Sequence, residues 1–130
     1  MKNGITRFEM ADDAAGGTQR PFAKVVRAGD FVFVSGQVPV VDGEIVNGGI
    51  VEQTEQVIKN IVLILATADC GLEHVVKVNA WLDDPRDFSS FNAVFKRHFS
   101  KYPPARSTVQ SMLMVDVKVE MDVIAYKPEQ

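Results

Sequence analysis

The sequence predicts an α+β fold: a single mixed β-sheet with two helices packed on one of its faces. Three observations predict it. Apolar residues recur at helical spacing in two places only, over residues 50–69 and from Pro85 or Asp87 to about His98. Segments of strand character lie before, between and after them, giving the order β, β-hairpin, α, β, α, β-hairpin. That order is too irregular for a doubly wound fold and too helical for an all-β one. The 130 residues contain no repeat, linker or low-complexity tract, so residues 1–130 form one domain.

Residues 4–10 carry Ile5 and Phe8 and read as a short strand, and the small, acidic residues 11–17 read as a loop. Pro21 opens the run Phe22-Ala23-Lys24-Val25-Val26-Arg27. After the turn residues Ala28-Gly29-Asp30 comes Phe31-Val32-Phe33-Val34-Ser35-Gly36-Gln37-Val38, which completes a hairpin. The second strand is apolar on both faces as far as Val34, as befits an interior strand. Residues 40–49, with Asp42-Gly43 and Gly48-Gly49, read as loop.

The first helix follows from Val51, Val57, Ile58, Ile61, Ile64, Leu65 and Ala68, with Gly71 placed as its C-terminal cap. Twenty residues span about 30 Å, enough to cross a small sheet. From Val75 to Leu82, Val76, Val78, Ala80 and Leu82 alternate with Lys77, Asn79 and Trp81, which is a strand. Asp83-Asp84-Pro85 ends it and caps the second helix, whose apolar stripe is Phe88, Phe91, Phe95 and Phe99. Pro103 and Pro104 then impose extended backbone, and Arg106 sits in the strand that follows. Val117, Val119, Met121, Val123 and Ala125 alternate with Lys118, Glu120 and Asp122 in the last strand. A hairpin of these two strands would set Arg106 and Glu120 side by side.

Two helices on one face leave the other face bare. Phe31, Phe33, Trp81 and Tyr126 do not all fit beneath two helices, and an apolar patch of that size marks an interface. Homo-oligomerisation through the open face is the expectation.

Composition removes several function classes. With 46% apolar and 24% charged residues the chain is an ordinary globular protein. A net charge of −3 argues against a nucleic-acid binder that works by neutralising phosphates. The first ten residues hold no apolar core of signal-peptide length, and the longest apolar run, residues 61–66, is too short to cross a membrane. A lone cysteine, Cys70, makes no internal disulfide, so the cytoplasm is the default compartment. No metal site is expected, because His74 and His98 are far apart and no ligand cluster accompanies them. His98, near a helix C-terminus, reads as a surface residue favoured by the helix dipole. Cys70 lacks the basic neighbour of a reactive thiol.

Arg106 and Glu120 remain. One account is an exposed cross-strand ion pair contributing under about 1 kcal/mol. The other is a site: arginine grips a carboxylate bidentately, and a nearby glutamate holds a water or moves a proton.

Pro104-Ala105-Arg106-Ser107 followed by Val119-Glu120-Met121 is very similar to the C-terminal motif of the RidA family, also called YjgF, UK114 or endoribonuclease L-PSP. Pro21-Phe22, Ala28-Gly29-Asp30, Val34-Ser35-Gly36-Gln37-Val38-Pro39 and the stretch from Phe88 to Asn92 resemble the same family in order and spacing. The resemblance implies a chorismate mutase-like fold assembled as a homotrimer with clefts between subunits, and a cofactor-independent hydrolase. The implied reaction converts small enamines or imines, such as 2-aminoacrylate, to 2-keto acids and ammonia. It implies that Arg106 binds the substrate carboxylate and Glu120 works through the attacking water. Phe22, Ser35, Gly36, Asn92 and Thr108 would line the cleft. Phe22 stands where the family often has tyrosine and Thr108 where it often has cysteine. Met112-Leu113-Met114 replaces a small or basic segment, in a loop about one residue shorter. Alternative activities are a 2-aminomuconate-type deaminase, a non-enzymatic carboxylate-binding regulator, and, last, a ribonuclease.

Overall fold

The computed structural model describes residues 2–12 and 19–129. Eight strands and two helices follow in order: β1 (Ile5–Asp12), β2 (Gln19–Ala28), β3 (Phe31–Gln37), β4 (Val40–Val41), β5 (Glu44–Ile45), α1 (Ile50–Thr67), β6 (Val75–Leu82), α2 (Phe88–Phe99), β7 (Ala105–Gln110) and β8 (Val119–Tyr126). Six of the strands form one sheet in the order β1-β2-β3-β8-β6-β7. Among the described residues only β6 and β7 run parallel, joined by α2, the crossover that a parallel pair requires. The sheet is therefore mixed, with both helices on one face, as expected.

The N-terminal hairpin forms in the predicted place, with Val25 opposite Val34 and Ala28 opposite Phe31 around Gly29 at φ 60°. β3 lies inside the sheet between β2 and β8. Residues 11 and 12, expected in a loop, continue β1, and the rest of that expected loop lies outside the described residues. The stretch 40–49 is not wholly loop. Asp42 and Gly43, at φ 52° and 80°, make a tight turn between β4 and β5. Both central residues there have positive φ, the conformation that matches strand twist in a two-residue hairpin.

Gly49 is the N-cap of α1, and its N–H donates to Glu52 Oε1 at 2.7 Å. Its end differs from expectation. The helix stops at Thr67, and the left-handed residue behind it is Asp69 at φ 59°, while Gly71 is extended at φ −126°. Aspartate tolerates the left-handed region, and Lys127 Nζ holds its carboxylate at 2.9 Å. The buried Arg27 adds a bond to the Ala68 carbonyl at 3.4 Å, satisfying one of the carbonyls a helix end leaves open.

The core lies between the helices and one sheet face. Val57, Ile58, Ile61 and Leu65 of α1 and Phe91, Val94, Phe95 and Phe99 of α2 meet Val25, Val32, Val34, Val78, Ala80, Val119, Met121, Val123 and Ala125 of the strands. Val51 and Phe88, placed on the apolar stripes by spacing, are exposed. On the opposite sheet face Phe31, Phe33 and Tyr126 keep 43%, 42% and 44% of their surface in solvent. Trp81 is half-buried. The bare apolar face inferred from two-helix cover is present. Among the described residues no helix is long and apolar enough to cross a membrane.

Candidate active site

Arg106 lies on β7, at the edge of the sheet, in register with Val78 of β6. Val78 is buried beneath the helices, so Arg106 also faces α2. There its Nη2 donates to Asn92 Oδ1 at 2.8 Å. The guanidinium lies over three rings of the same helix, 5.8 Å from the centroid of Phe88, 5.3 Å from Phe91 and 4.7 Å from Phe95. Positions 88, 91, 92 and 95 share one helix face because they are three or four apart. Burial pushes the guanidinium below its ordinary pKa, yet arginine stays charged in proteins. No carboxylate of the described residues pairs with it. A half-buried cation held by one neutral amide and three π-faces still has unused donors, and it suits an anionic ligand.

Two residues further along β7, Thr108 is in register with the buried Ala80, on the same face as Arg106. Its Oγ1 is buried and has no hydrogen-bond partner among the described residues.

Glu120 belongs to the other face. It sits between Val119 and Met121, both wholly buried under the helices, so the alternation of β8 turns it towards the open side. Its carboxylate packs against Gly36, where any Cβ would collide with Oε2. Glycine leaves room for that approach, and a side chain at 36 would make the carboxylate move. Burial, and then the charge of Asp122, raise the Glu120 pKa above the ordinary value. Asp122 is raised as well by burial, opposed by the bond it accepts from Asn79 Nδ2 at 3.0 Å. A carboxyl so placed exchanges a proton more readily near neutrality than an exposed glutamate. Ser35 donates its hydroxyl to the Ala23 carbonyl at 2.7 Å, and Gln37 Nε2 donates to the Ser35 carbonyl at 3.1 Å. These bonds fix the strand beside Glu120. Phe22 alternates with the buried Ala23 and is 43% exposed on the open face.

The structure thus sorts the candidate residues into two groups. Arg106, Asn92 and Thr108 lie on the helix side of the β7 edge; Phe22, Ser35, Gly36 and Glu120 lie on the open side of β2, β3 and β8. The expected hairpin of β7 and β8 does not exist. β6 lies between them, parallel to β7 and antiparallel to β8. The segment 111–118 is too long and too open for a tight turn, and β6 gains partners on both edges by entering there. With the strands apart and the side chains on opposite faces, the cross-strand ion pair is not formed.

The other singled-out residues are structural here. His98 and Arg97 both bind Glu55, at 3.0 Å and 3.1 Å, on the outer surface of the helices. A cavity of about 610 Å³ at that place contains none of the site candidates. Cys70 is buried, and burial pushes its thiol pKa up. Among the described residues no cluster of three metal-ligating side chains occurs. The ring cradle of Arg106 is not evident from the sequence, since helical spacing places Phe91 and Phe95 in the core. The spacing of Phe88, Phe91, Asn92 and Phe95 was the available clue.

Comparison with known proteins agrees with this architecture. Residues 13–127 match the family model described as endoribonuclease L-PSP. A RutC family protein of Pyrococcus abyssi is 46% identical over 110 residues, 82% of this chain and 87% of the relative. The crystal structure of yeast Mmf1 superposes with a TM-score of 0.84 at 38% identity, over 95% of this chain and 98% of that one. A crystal structure of E. coli TdcF with bound serine matches at a TM-score of 0.79 and 31% identity, over 93% and 99%. With the model match spanning nearly the whole chain and relatives at this identity, the protein belongs to the endoribonuclease L-PSP family, the group also known as YjgF, RutC or RidA.

Proposed function

We propose that the protein is a cofactor-independent deaminase that hydrolyses small 2-imino acids and their enamine tautomers to 2-keto acids and ammonia. The observation that carries the proposal is the half-buried Arg106 guanidinium, bound to Asn92 at 2.8 Å and left without a carboxylate partner among the described residues. Such a cation is an anchor for the one charged group that every 2-imino acid has. The serine bound to the related TdcF is a molecule of similar size carrying a carboxylate.

The two groups of candidates lie on opposite faces of one chain, so the complete site needs two copies. In this proposal the protein is a homotrimer held by the bare sheet faces. Arg106, Asn92 and Thr108 of one copy meet Phe22, Ser35, Gly36 and Glu120 of the next. The substrate carboxylate binds Arg106 and places the imine carbon opposite the Glu120 carboxylate. Glu120 takes a proton from water as the oxygen adds to the C=N carbon. Glu120 passes that proton to the nitrogen, and the resulting carbinolamine loses ammonia as its hydroxyl proton moves to the leaving nitrogen and the C=O bond of the keto acid forms. Orientation of water and imine supplies much of the rate, and the raised pKa of Glu120 favours the proton transfers.

The test couples a pyridoxal-phosphate dehydratase to the purified protein and follows the disappearance of 2-aminoacrylate. Wild type should clear the imine well above its spontaneous rate, and Arg106→Ala should reduce kcat/KM about a hundredfold or more. That follows from losing two charge-assisted bonds of about 1.5–3 kcal/mol each. If wild type matches the spontaneous rate while keto acids still bind, the protein is a carboxylate-binding module and the deaminase proposal is wrong.

A further inference from the structure

The open side of β8 carries two carboxylates in succession. Val119, Met121, Val123 and Ala125 are buried beneath the helices, so Glu120 and Asp122 both point to the other face. Residues two apart on one strand stand about 7 Å from each other. β8 lies between β3 and β6. Across β6, Glu120 is in register with Trp81, and Asp122 with Asn79, whose Nδ2 donates to Asp122 Oδ1 at 3.0 Å. β3 contains no charged residue, and the one charged residue of β6 is Lys77, whose Nζ donates to Ser107 Oγ at 3.1 Å. Neither carboxylate takes part in an ion pair among the described residues. From this placement we infer that Asp122, held by Asn79, is a positioning residue for the reaction: its negative charge sets the pH range in which Glu120 exchanges its proton. The inference rests on the deaminase proposal and adds to it the residue that tunes the proton carrier.

Two like charges at this distance oppose each other's ionisation, and their surroundings decide which one yields. The Asn79 amide favours the ionised form of Asp122, because a donated bond is stronger to a carboxylate than to a neutral carboxyl. Glu120 has no such donor among the described residues. It faces an indole across the sheet on one side and the Gly36 backbone on the other. Asp122 therefore keeps its charge, and Glu120 keeps a proton longer. Burial raises the pKa of both groups; Asn79 opposes the rise at Asp122, and Asp122 adds to the rise at Glu120. The proposed reaction needs such a division. Glu120 first accepts a proton from water and then releases it to nitrogen, and a group that does both works best with a pKa near the operating pH. In the proposed trimer the next copy brings Arg106 to this face, with its donors engaged by the substrate carboxylate.

NMR titration of isotope-labelled side-chain carboxyls tests this without turnover, the Glu120 resonance being the one that Glu120→Gln removes. Asp122→Asn deletes the charge, keeps an acceptor for Asn79 and should fold, since it relieves a half-buried charge. Asp122→Thr is a second neutral variant suited to a strand, and Asp122→Glu keeps the charge. The Glu120 pKa should fall by about one unit in both neutral variants, the effect of one charge about 7 Å away at a dielectric between those of a protein surface and water. It should stay near the wild-type value in Asp122→Glu. Glu120 must be ionised to accept the proton. The acid limb of the kcat/KM profile for imine loss, corrected for the spontaneous rate at each pH, should therefore move to lower pH by the same amount. An unmoved Glu120 titration in the neutral variants overturns the inference. So does a fall of equal size in Asp122→Glu, which would make packing and not charge the cause. If the titration moves as expected while the wild type clears no imine, the charge coupling stands and the deaminase proposal is what fails. If imine is cleared and the acid limb does not follow the titration, the deaminase proposal stands and Asp122 is no positioning residue.

Discussion

Glu120 and Gly36 show how closely one residue can depend on another. The carboxylate occupies the space where a Cβ of residue 36 would stand, so any larger residue there would displace it. Burial raises the Glu120 pKa. A raised folded-state pKa means that the native chain holds a proton the unfolded chain has released, so stability falls as pH climbs through that range. Glu120→Gln removes the titration. At pH 7 this variant should melt at or above the wild-type temperature while imine hydrolysis is lost. Below about pH 4, where both states bind the proton, the gain should shrink. A variant that melts clearly lower at pH 7 would show Glu120 to be a structural residue.

At the scale of elements, α2 does two jobs with one stripe. Phe91 is wholly buried in the core and also one of the rings facing Arg106, at 5.3 Å. Asn92, next to it, supplies the hydrogen bond. Phe91→Ala should therefore cost about 3–5 kcal/mol in urea unfolding, the usual range for deleting a buried phenylalanine. It should also weaken keto-acid binding in the fraction that remains folded. Loss of stability with undiminished binding would assign the positioning of Arg106 to Asn92 alone. Asp84 caps the short 3-10 turn Pro85–Asp87 that leads into this helix, accepting a bond from the Arg86 N–H at 2.9 Å, and the Arg86 side chain holds it near a pKa of about 2; Asp87, at the start of α2 itself, makes no side-chain cap.

At the scale of the molecule, the sheet carries helices on one side and a bare aromatic surface on the other. Phe31 and Tyr126 meet edge to face at 5.2 Å, and Phe33 stands on the same side. In the proposed trimer this surface is what brings one copy's Arg106 group to another copy's Glu120 group. Phe33→Glu should block that association by placing a charge in a face that would otherwise be dry. Sedimentation should then give the mass of one chain, circular dichroism should be unchanged, and hydrolysis should disappear although no residue of the candidate site has been altered. A single-chain species that still hydrolyses imine would refute the shared site.

Local order determined much of this. The period-two and helical spacings located the N-terminal hairpin, α1, β6 and α2 closely, because each buries one face and the pattern records which. Counting two helices against one sheet disclosed the bare face, and the motifs around Ser35 and Arg106 disclosed the family. The misplacements share a physical cause. Its position and residue type point to Gly71 as the cap of α1, but the left-handed residue is Asp69, held by a salt bridge from Lys127, distant in sequence. Adjacency in sequence predicts a β7–β8 hairpin, but strand order is set by packing across the whole sheet, and β6 lies between them. Tertiary structure alone decided which face each side chain took relative to the others. Arg106 and Glu120 could be named from the sequence; that they stand on opposite sides of the sheet, so that a site using both must draw them from two chains, followed only from the order of its strands.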